Sequence, residues 1–390
     1  MKKLVLSLSV VASILTACTS SDDETSTTPQ GPVTGEISGD ITANKNYTKG
    51  NYTLKGIVKI KSGATLTIDA GSVITADVAD GVDALVVENG GKLMLIGTAA
   101  EPIVCTEKSK TPGSWGGIIM YGNASIVNSA TAPAPQTATS EDGLNLPYGG
   151  SNDTHNGGTL KYVRVEYAGK KITDGTSEMN GFSFYSVGSG TILENLVSYK
   201  GADDGYEFYG GTVSAKNLIS YGNYDDSFDW QDGWRGQDNT NWYAYQTGTG
   251  NFGMEIECKS VNNAFWPKVT NITLKRAAGT LTENASVEYD AIQFKKQGNG
   301  EYSNILIEGY TNANATAVRI QDAATNTDQV NASKIKLTNV QINNGTSQFA
   351  AGASFTVAFP SGQYTTTTTS SGASLTAGSW STVEGVNLLQ

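Results

Sequence analysis

Asn195–Phe208 reads NLVSYKGADDGYEF, and Asn217–Trp230 reads NLISYGNYDDSFDW. The second follows the first at a shift of 22 residues, with Asn, Tyr, the acid pair and the aromatic end all in register. A repeat of that length, made of one short supersecondary unit, is the signature of a solenoid whose coils stack and bury a shared core. The strand inside it carries a four-residue signature with large apolar second and fourth positions. It recurs as Gly181–Phe184, Gly205–Phe208, Ser227–Trp230, Gly253–Ile256 and Ala291–Phe294. A second strand opened by Asn follows most of these, at Asn195, Asn217, Asn271 and Asn304. Asn tolerates the left-handed turn conformation, and its amide can stack on the next coil, so it marks a fixed corner.

With 45 Gly, 9 Pro and almost no helical periodicity, the rest of the chain reads as short strands joined by tight turns. The expected fold is all-β, a single right-handed parallel β-helix of about a dozen coils, with loop insertions at 129–157 and 233–251. Coils at about 4.8 Å spacing begin in the alternating stretches VKIKSGATLTIDAGSVITA and ALVVENGGKLMLIGTAAEPIVCTE. The Thr- and Ser-rich end, from Phe359 to Gln390, is expected to form the closing coil and cap, since an uncovered last coil presents an open sheet edge.

The start, MKKLVLSLSVVASILTAC, puts Lys2 and Lys3 ahead of an apolar run that is too short to span a bilayer, the layout of a secretory signal. Leu15-Thr16-Ala17-Cys18 resembles the lipobox of bacterial lipoproteins, which implies removal of 1–17 and lipidation of Cys18. Residues 18–34, rich in Ser, Thr, Pro and acid, read as a disordered tether ahead of a β-helix domain at 35–390. Asp22, Asp23 and Glu24 resemble the signal that carries Bacteroidota lipoproteins to the outer face of the outer membrane; a merely solvated linker is the alternative. A net charge of −11 without clustered Lys and Arg excludes binding to nucleic acid or an anionic membrane by charge. Membrane contact is then expected through the lipid alone.

Four further stretches carry a family resemblance: SWGGIIMYG (114–122), KYVRVEYAG (161–169), GADDGYEFYGG (201–211) and YDDSFDWQDG (224–233), with DAIQFKKQGNG (290–300) following. Over Gly35 to Tyr310 the chain resembles a large group of secreted Bacteroidota β-helix proteins. The resemblance implies a β-helix and an extracellular location, and no established activity. The chain departs from that group in the unusual aromatic density of Trp234–Asn251.

Because alternate residues of a strand face opposite ways, the third signature position should face outward, and it reads Ser183, Glu207, Asp229, Glu255 and Gln293. Two unit charges at rung spacing repel by about 1 kcal/mol in water and about 3.5 kcal/mol at an effective dielectric of 20. Relief must come from a cation such as Ca2+, from a held proton, or from Arg235, Lys259 or Lys295 folding over the ladder. The turn acids Asp203, Asp204, Asp225 and Asp226, with Asp232, form the candidate metal set; the plainer reading is that they are turn formers accepting backbone N–H bonds. Trp234, Trp242, Tyr243, Tyr245 and Trp266, with Arg235, form the candidate ligand surface, on which ring faces stack against sugar; a loop folded on its own hydrophobic cluster is the alternative.

Three functions fit. The first is a cell-surface binding protein for an extracellular glycan or another surface component. The second is a polysaccharide hydrolase or lyase using Glu207, Asp229 and Glu255, with Lys295 and Lys296 the only nearby basic pair. The third is an adhesive rod. Catalysis is disfavoured because no His follows the acids. The single His155 sits in a polar loop and is expected to be solvated. Cys105 and Cys258 read as buried small hydrophobes, with a disulfide between them as the alternative.

Overall fold

The computed structural model describes residues 33–79, 81–172, 177–260, 266–283, 288–344, 347–351 and 355–390. The signal segment, Cys18 and the acidic triplet lie outside them. The body is a compact unit from Val33 to Gln390, two residues earlier than the expected boundary.

The expected parallel β-helix is what forms. Among the described residues, one sheet stacks Val33–Ser38, Gly50–Lys55, Val73–Ala76, Ile103–Glu107 and Gly158–Glu166, and continues through Ile192–Tyr199 to Tyr364–Thr366. A second sheet of ten strands runs from Ile57–Ile60 to Ser347–Ala351. Adjacent rungs pair in parallel throughout both.

The first coils use three short strands. At Gly158–Glu166 two of these fuse: Gly158–Lys161 pairs with Leu93–Ile96, and Val163–Val165 pairs with Ile103–Cys105. The bend between them falls on Tyr162, at φ 51°. In later rungs Asn takes that bend, with Asn195, Asn217, Asn241, Asn271 and Asn304 all between φ 55° and 61°. Their amides form a ladder, each Nδ2 donating to the Oδ1 one coil back at 3.0, 3.0, 3.1 and 2.7 Å. The corner role read from the repeat is thus literal, and Asn241 belongs to it.

Asn241 also corrects the expected insertion at 233–251. That segment contains the regular rung Asn239–Gln246, in which Trp242 lies opposite Leu218 and Ile272. Trp242 and Trp234 therefore point into the helix, at 0 % and 1 % exposure, and stack with Phe208. Their indole N–H groups donate to the carbonyls of Ala215 (3.0 Å) and Val213 (2.9 Å). The segment 129–157 does leave the coil: its hairpin, Thr137–Thr139 with Pro147–Gly149, lays Tyr148 over the stacked Tyr121, Tyr185 and Tyr209.

The C-terminal residues match the expected closing coil and cap in part: Tyr364–Thr366 forms the last rung, and Phe359 and Tyr364 pack against the core. After Tyr364–Thr366 the chain turns back across the outside of the long sheet. Ser370 Oγ donates to Asn304 (2.8 Å), Ala373 N to Thr273 (2.9 Å) and Trp380 N to the Ala99 carbonyl (3.2 Å). Arg164 holds the carbonyls of Ser379 and Thr382, and the chain end returns to the Tyr243 hydroxyl. This strap covers a column of apolar and tyrosine side chains, Tyr167, Val197, Tyr199, Ile219, Tyr221 and Tyr243, with Trp380, Val383 and Leu388.

Cys105 and Cys258 are buried free thiols, so the disulfide alternative does not hold. His155 is buried rather than solvated, packed against Gly122 and Gly188. Among the described residues neither ring nitrogen meets a partner, and burial, then Lys92, hold its pKa below the usual value. No helix of the described residues is long and apolar enough to cross a membrane.

Candidate functional site

The outward ladder stacks as the alternation demands: Ser183, Glu207, Asp229, Glu255, Gln293 and Arg319 are consecutive partners across the ten-stranded sheet. It does not stand on an open surface. Its three carboxylates, Glu207, Asp229 and Glu255, form the floor of a cavity of about 420 Å³. Loops at both ends of the rungs, together with Glu141 from the 129–157 excursion, wall it in. Among the described residues, twelve carboxylates and three lysines line it, and Phe252 is the one aliphatic or phenyl side chain.

Glu207 is 6 % exposed and well held: Asn180 Nδ2 donates to it at 2.6 Å and Gln231 Nε2 at 3.1 Å, and the Tyr209 hydroxyl also donates. Burial, reinforced by Glu141, pushes its pKa up to about 8. Asp229, one rung on, keeps an Oδ1 that meets no partner; burial and then Glu207 raise it well above the carboxylate range. Lys295 bridges Glu255 and Glu257, the latter at 2.8 Å, and Lys296 reaches Glu257 at 3.0 Å. Burial opposes the charge on Glu257, yet the two lysines hold its pKa below the usual value. Of the three cations named from the sequence, Lys295 alone folds over the ladder. Lys259 pairs with Asp232 (3.1 Å), and Arg235 is buried against Asp153 (2.7 Å).

The Asp-Asp corners sit at one end of the rungs. The turn-former reading holds for Asp204 and Asp226: the Asp226 N–H donates to Asp204 (2.8 Å), and the Phe252 N–H to Asp226 (2.6 Å). Both also line the cavity with Asp203 and Asp225. Asp232 does not join them; it lies buried at φ 54°, taken by Lys259 and the Tyr148 hydroxyl (2.5 Å). Glu141, Glu178, Glu257, Glu283 and Glu288, not singled out from the sequence, complete the wall. Glu257 was findable, because it follows Glu255 by two and so shares its face. The others sit in loops whose placement no repeat dictates.

The aromatic surface largely dissolves. Trp234, Trp242 and Tyr243 are buried, because each occupies a position that the coil or the strap fills. Tyr245 is partly buried, edge-on to Tyr221. Only Trp266 and Arg235 reach a common hollow, a groove of about 800 Å³ on the other sheet. The groove is larger than the acidic cavity, but its charges are already paired: Lys216 with Asp238 (2.5 Å), Lys268 with Glu301 (3.7 Å) and Arg235 with Asp153.

The buried acids predict a pH effect. Glu207 and Asp225, the latter at about 7 because of burial and then Glu255, hold protons in the folded chain that the unfolded chain has released. Their stabilising contribution is complete below the unfolded carboxylate range, about 4, and is lost as pH rises through the folded values. In chelator, the melting temperature should fall between about pH 5 and pH 8, on the order of 5 °C. A melting temperature that rises over that interval would contradict this protonation of the site.

Fold and site together define a solenoid of parallel rungs with an acid-walled cavity cut into one outer face. The chain belongs to the pectate-lyase-like beta helix domain family, whose sequence profile matches residues 35–383. Among solved structures it is similar to the Streptococcus pneumoniae surface protein and adhesin PfbA. The identity is 13 % and the TM-score 0.24, over 79 % of this chain and 91 % of that one. No curated protein matches the chain.

Proposed function

We propose that this protein is exported, anchored through Cys18 and displayed on the outside of the outer membrane, where its β-helix binds an extracellular glycan in the acidic cavity. The observation that carries the reading is the cavity itself: about 420 Å³ with walls almost wholly of carboxylate, amide and ammonium groups. Carboxylates accept hydrogen bonds from paired sugar hydroxyls, and Asn251 and the lysines supply donors. The lipobox and the acidic triplet support the location.

A second reading has one observation in its favour. Glu207, protonated near neutrality, stands beside Asp229, with carboxylate oxygens within 4.8 Å of each other. Burial favours a proton on Asp229 as well, so the two act as acid and nucleophile when one of the pair is ionised; the close spacing of such a pair corresponds to the retaining arrangement of glycoside hydrolysis. The two readings separate in one experiment, in which the protein is run through gels containing a panel of polysaccharides while release of new chain ends is followed. Retarded migration without new ends supports binding. New ends that disappear in Glu207→Gln make it a hydrolase. Neither signal with any polysaccharide sinks the glycan reading and leaves an adhesive rod.

A further inference from the structure

His155, the one histidine of the chain, sits at 5 % exposure on the return leg of the 129–157 excursion, just ahead of the rung Gly158–Glu166. A Cβ on Gly122 would lie 2.7 Å from its Nδ1 and 3.0 Å from its Cε1, and one on Gly157 3.4 Å from Cε1. The imidazole therefore fills a slot that glycine leaves open. Among the described residues neither ring nitrogen has a hydrogen-bond partner, and the one charged group acting on the ring is Lys92, of the same sign as an imidazolium. A neutral ring can stay in such a slot, whereas a buried charge without a counter-charge is costly there.

The leg is tied to the coil through its backbone and Asp153. The Asn152 N–H donates to the Asn123 carbonyl (2.9 Å), the Ser125 N–H to the Asp153 carboxylate (2.9 Å) and the Gly190 N–H to the His155 carbonyl (3.2 Å), while Arg235 pairs with Asp153 (2.7 Å). These ties also prop the groove on the long sheet. The Asp153 carbonyl accepts from the Ser189 N–H and hydroxyl, both at 2.9 Å, and from the Thr212 hydroxyl, and Ser189, Thr212 and Arg235 all line the groove.

From this arrangement we infer that His155 is an acid-sensitive catch: in acid the ring takes a proton and leaves its slot for water, and the return leg comes away, withdrawing Asp153 from Ser189, Thr212 and Arg235 and reshaping the groove. The sign follows from the two states of the leg. Burial, then Lys92, hold the imidazole below its usual pKa while the leg is closed; opening restores the ordinary value, about 6.5. The closed leg keeps its full stability above that pH and loses it below, the opening equilibrium growing about tenfold per pH unit. Burial opposes the charge on Asp153, yet Ser125 and Arg235 hold its pKa below the usual value, so it stays ionised over this range. Glu141 and Asp142, on the hairpin before the leg, are raised by burial and act with the opposite sign, so acid keeps the hairpin in place. The catch belongs to the groove and does not depend on a glycan in the acidic cavity.

The test is amide hydrogen exchange of the full chain between about pH 7 and pH 5, each rate divided by that of the unstructured amide to give an opening constant. The constants of the Ser125, Asn152 and Ser189 amides, which the closed leg protects, should rise about tenfold for each unit below about pH 6.5, while those of the rung Ile192–Tyr199 should not. His155→Leu, which leaves an apolar side chain in the slot, and His155→Gln, which leaves an uncharged polar one, should both abolish the rise. Equal opening constants at the two ends of the range in the parent would overturn the inference, as would a rise that survives in either folded variant.

Discussion

Replacing Trp242 with Ala is expected to destabilise the fold by about 3–5 kcal/mol, the range for removing a large aromatic side chain from a packed core. The indole is 0 % exposed and lies between Phe208, Phe228, Trp230 and Trp234 at ring distances of 4.8 to 6.1 Å. Its loss leaves a cavity and strips the Ala215 carbonyl of its donor. Chemical denaturation should report a lower midpoint. A variant as stable as the parent that had instead lost ligand retention would restore the sugar-stacking role this residue type suggests in the sequence.

Deleting residues 370–390 is the second large perturbation. The strap buries Trp380 (3 % exposed), Val383 (2 %) and Leu388 (0 %) against the tyrosine column. At about 1.5–3 kcal/mol for each buried apolar side chain, the loss is on the order of 5 kcal/mol. It also uncovers a contiguous apolar patch of the kind that drives association. The truncated chain should melt at lower temperature and elute from a sizing column as larger species. A monomeric truncation with unchanged melting would mean that the strap is dispensable and that the rungs carry the stability alone.

The fold was legible in the sequence because a solenoid repeats its own evidence. The 22-residue shift between Asn195 and Asn217 and the apolar positions of the signature strand both follow from a chain that meets itself every coil. The outward ladder was legible for the same reason, since strand alternation dictates facing. The aromatic residues misled. Asn241-Trp-Tyr-Ala-Tyr245 occupies the register of Asn217-Leu-Ile-Ser-Tyr221, so Trp242 is a large residue at an inward leucine position. Its type suggests a binding surface, whereas its place after the corner Asn makes it core. Glu141 and Glu178 lie on segments that leave the repeat, and nothing local says where such a segment lands. The strap is the extreme case: its Thr- and Ser-rich composition fits a capping coil, and only the tyrosine column beneath it explains its path.

The most direct test compares two variants in gels containing the polysaccharide that retards the parent. Asp229→Asn/Glu255→Gln replaces two carboxyl groups of the cavity floor by amides, while Trp266→Ala alters only the charge-paired groove on the other sheet. The account predicts that the first variant, folded by its melting curve, migrates freely and that the second is retarded like the parent. Free migration of Trp266→Ala with full retardation of the cavity variant would contradict it and place ligand binding in the groove.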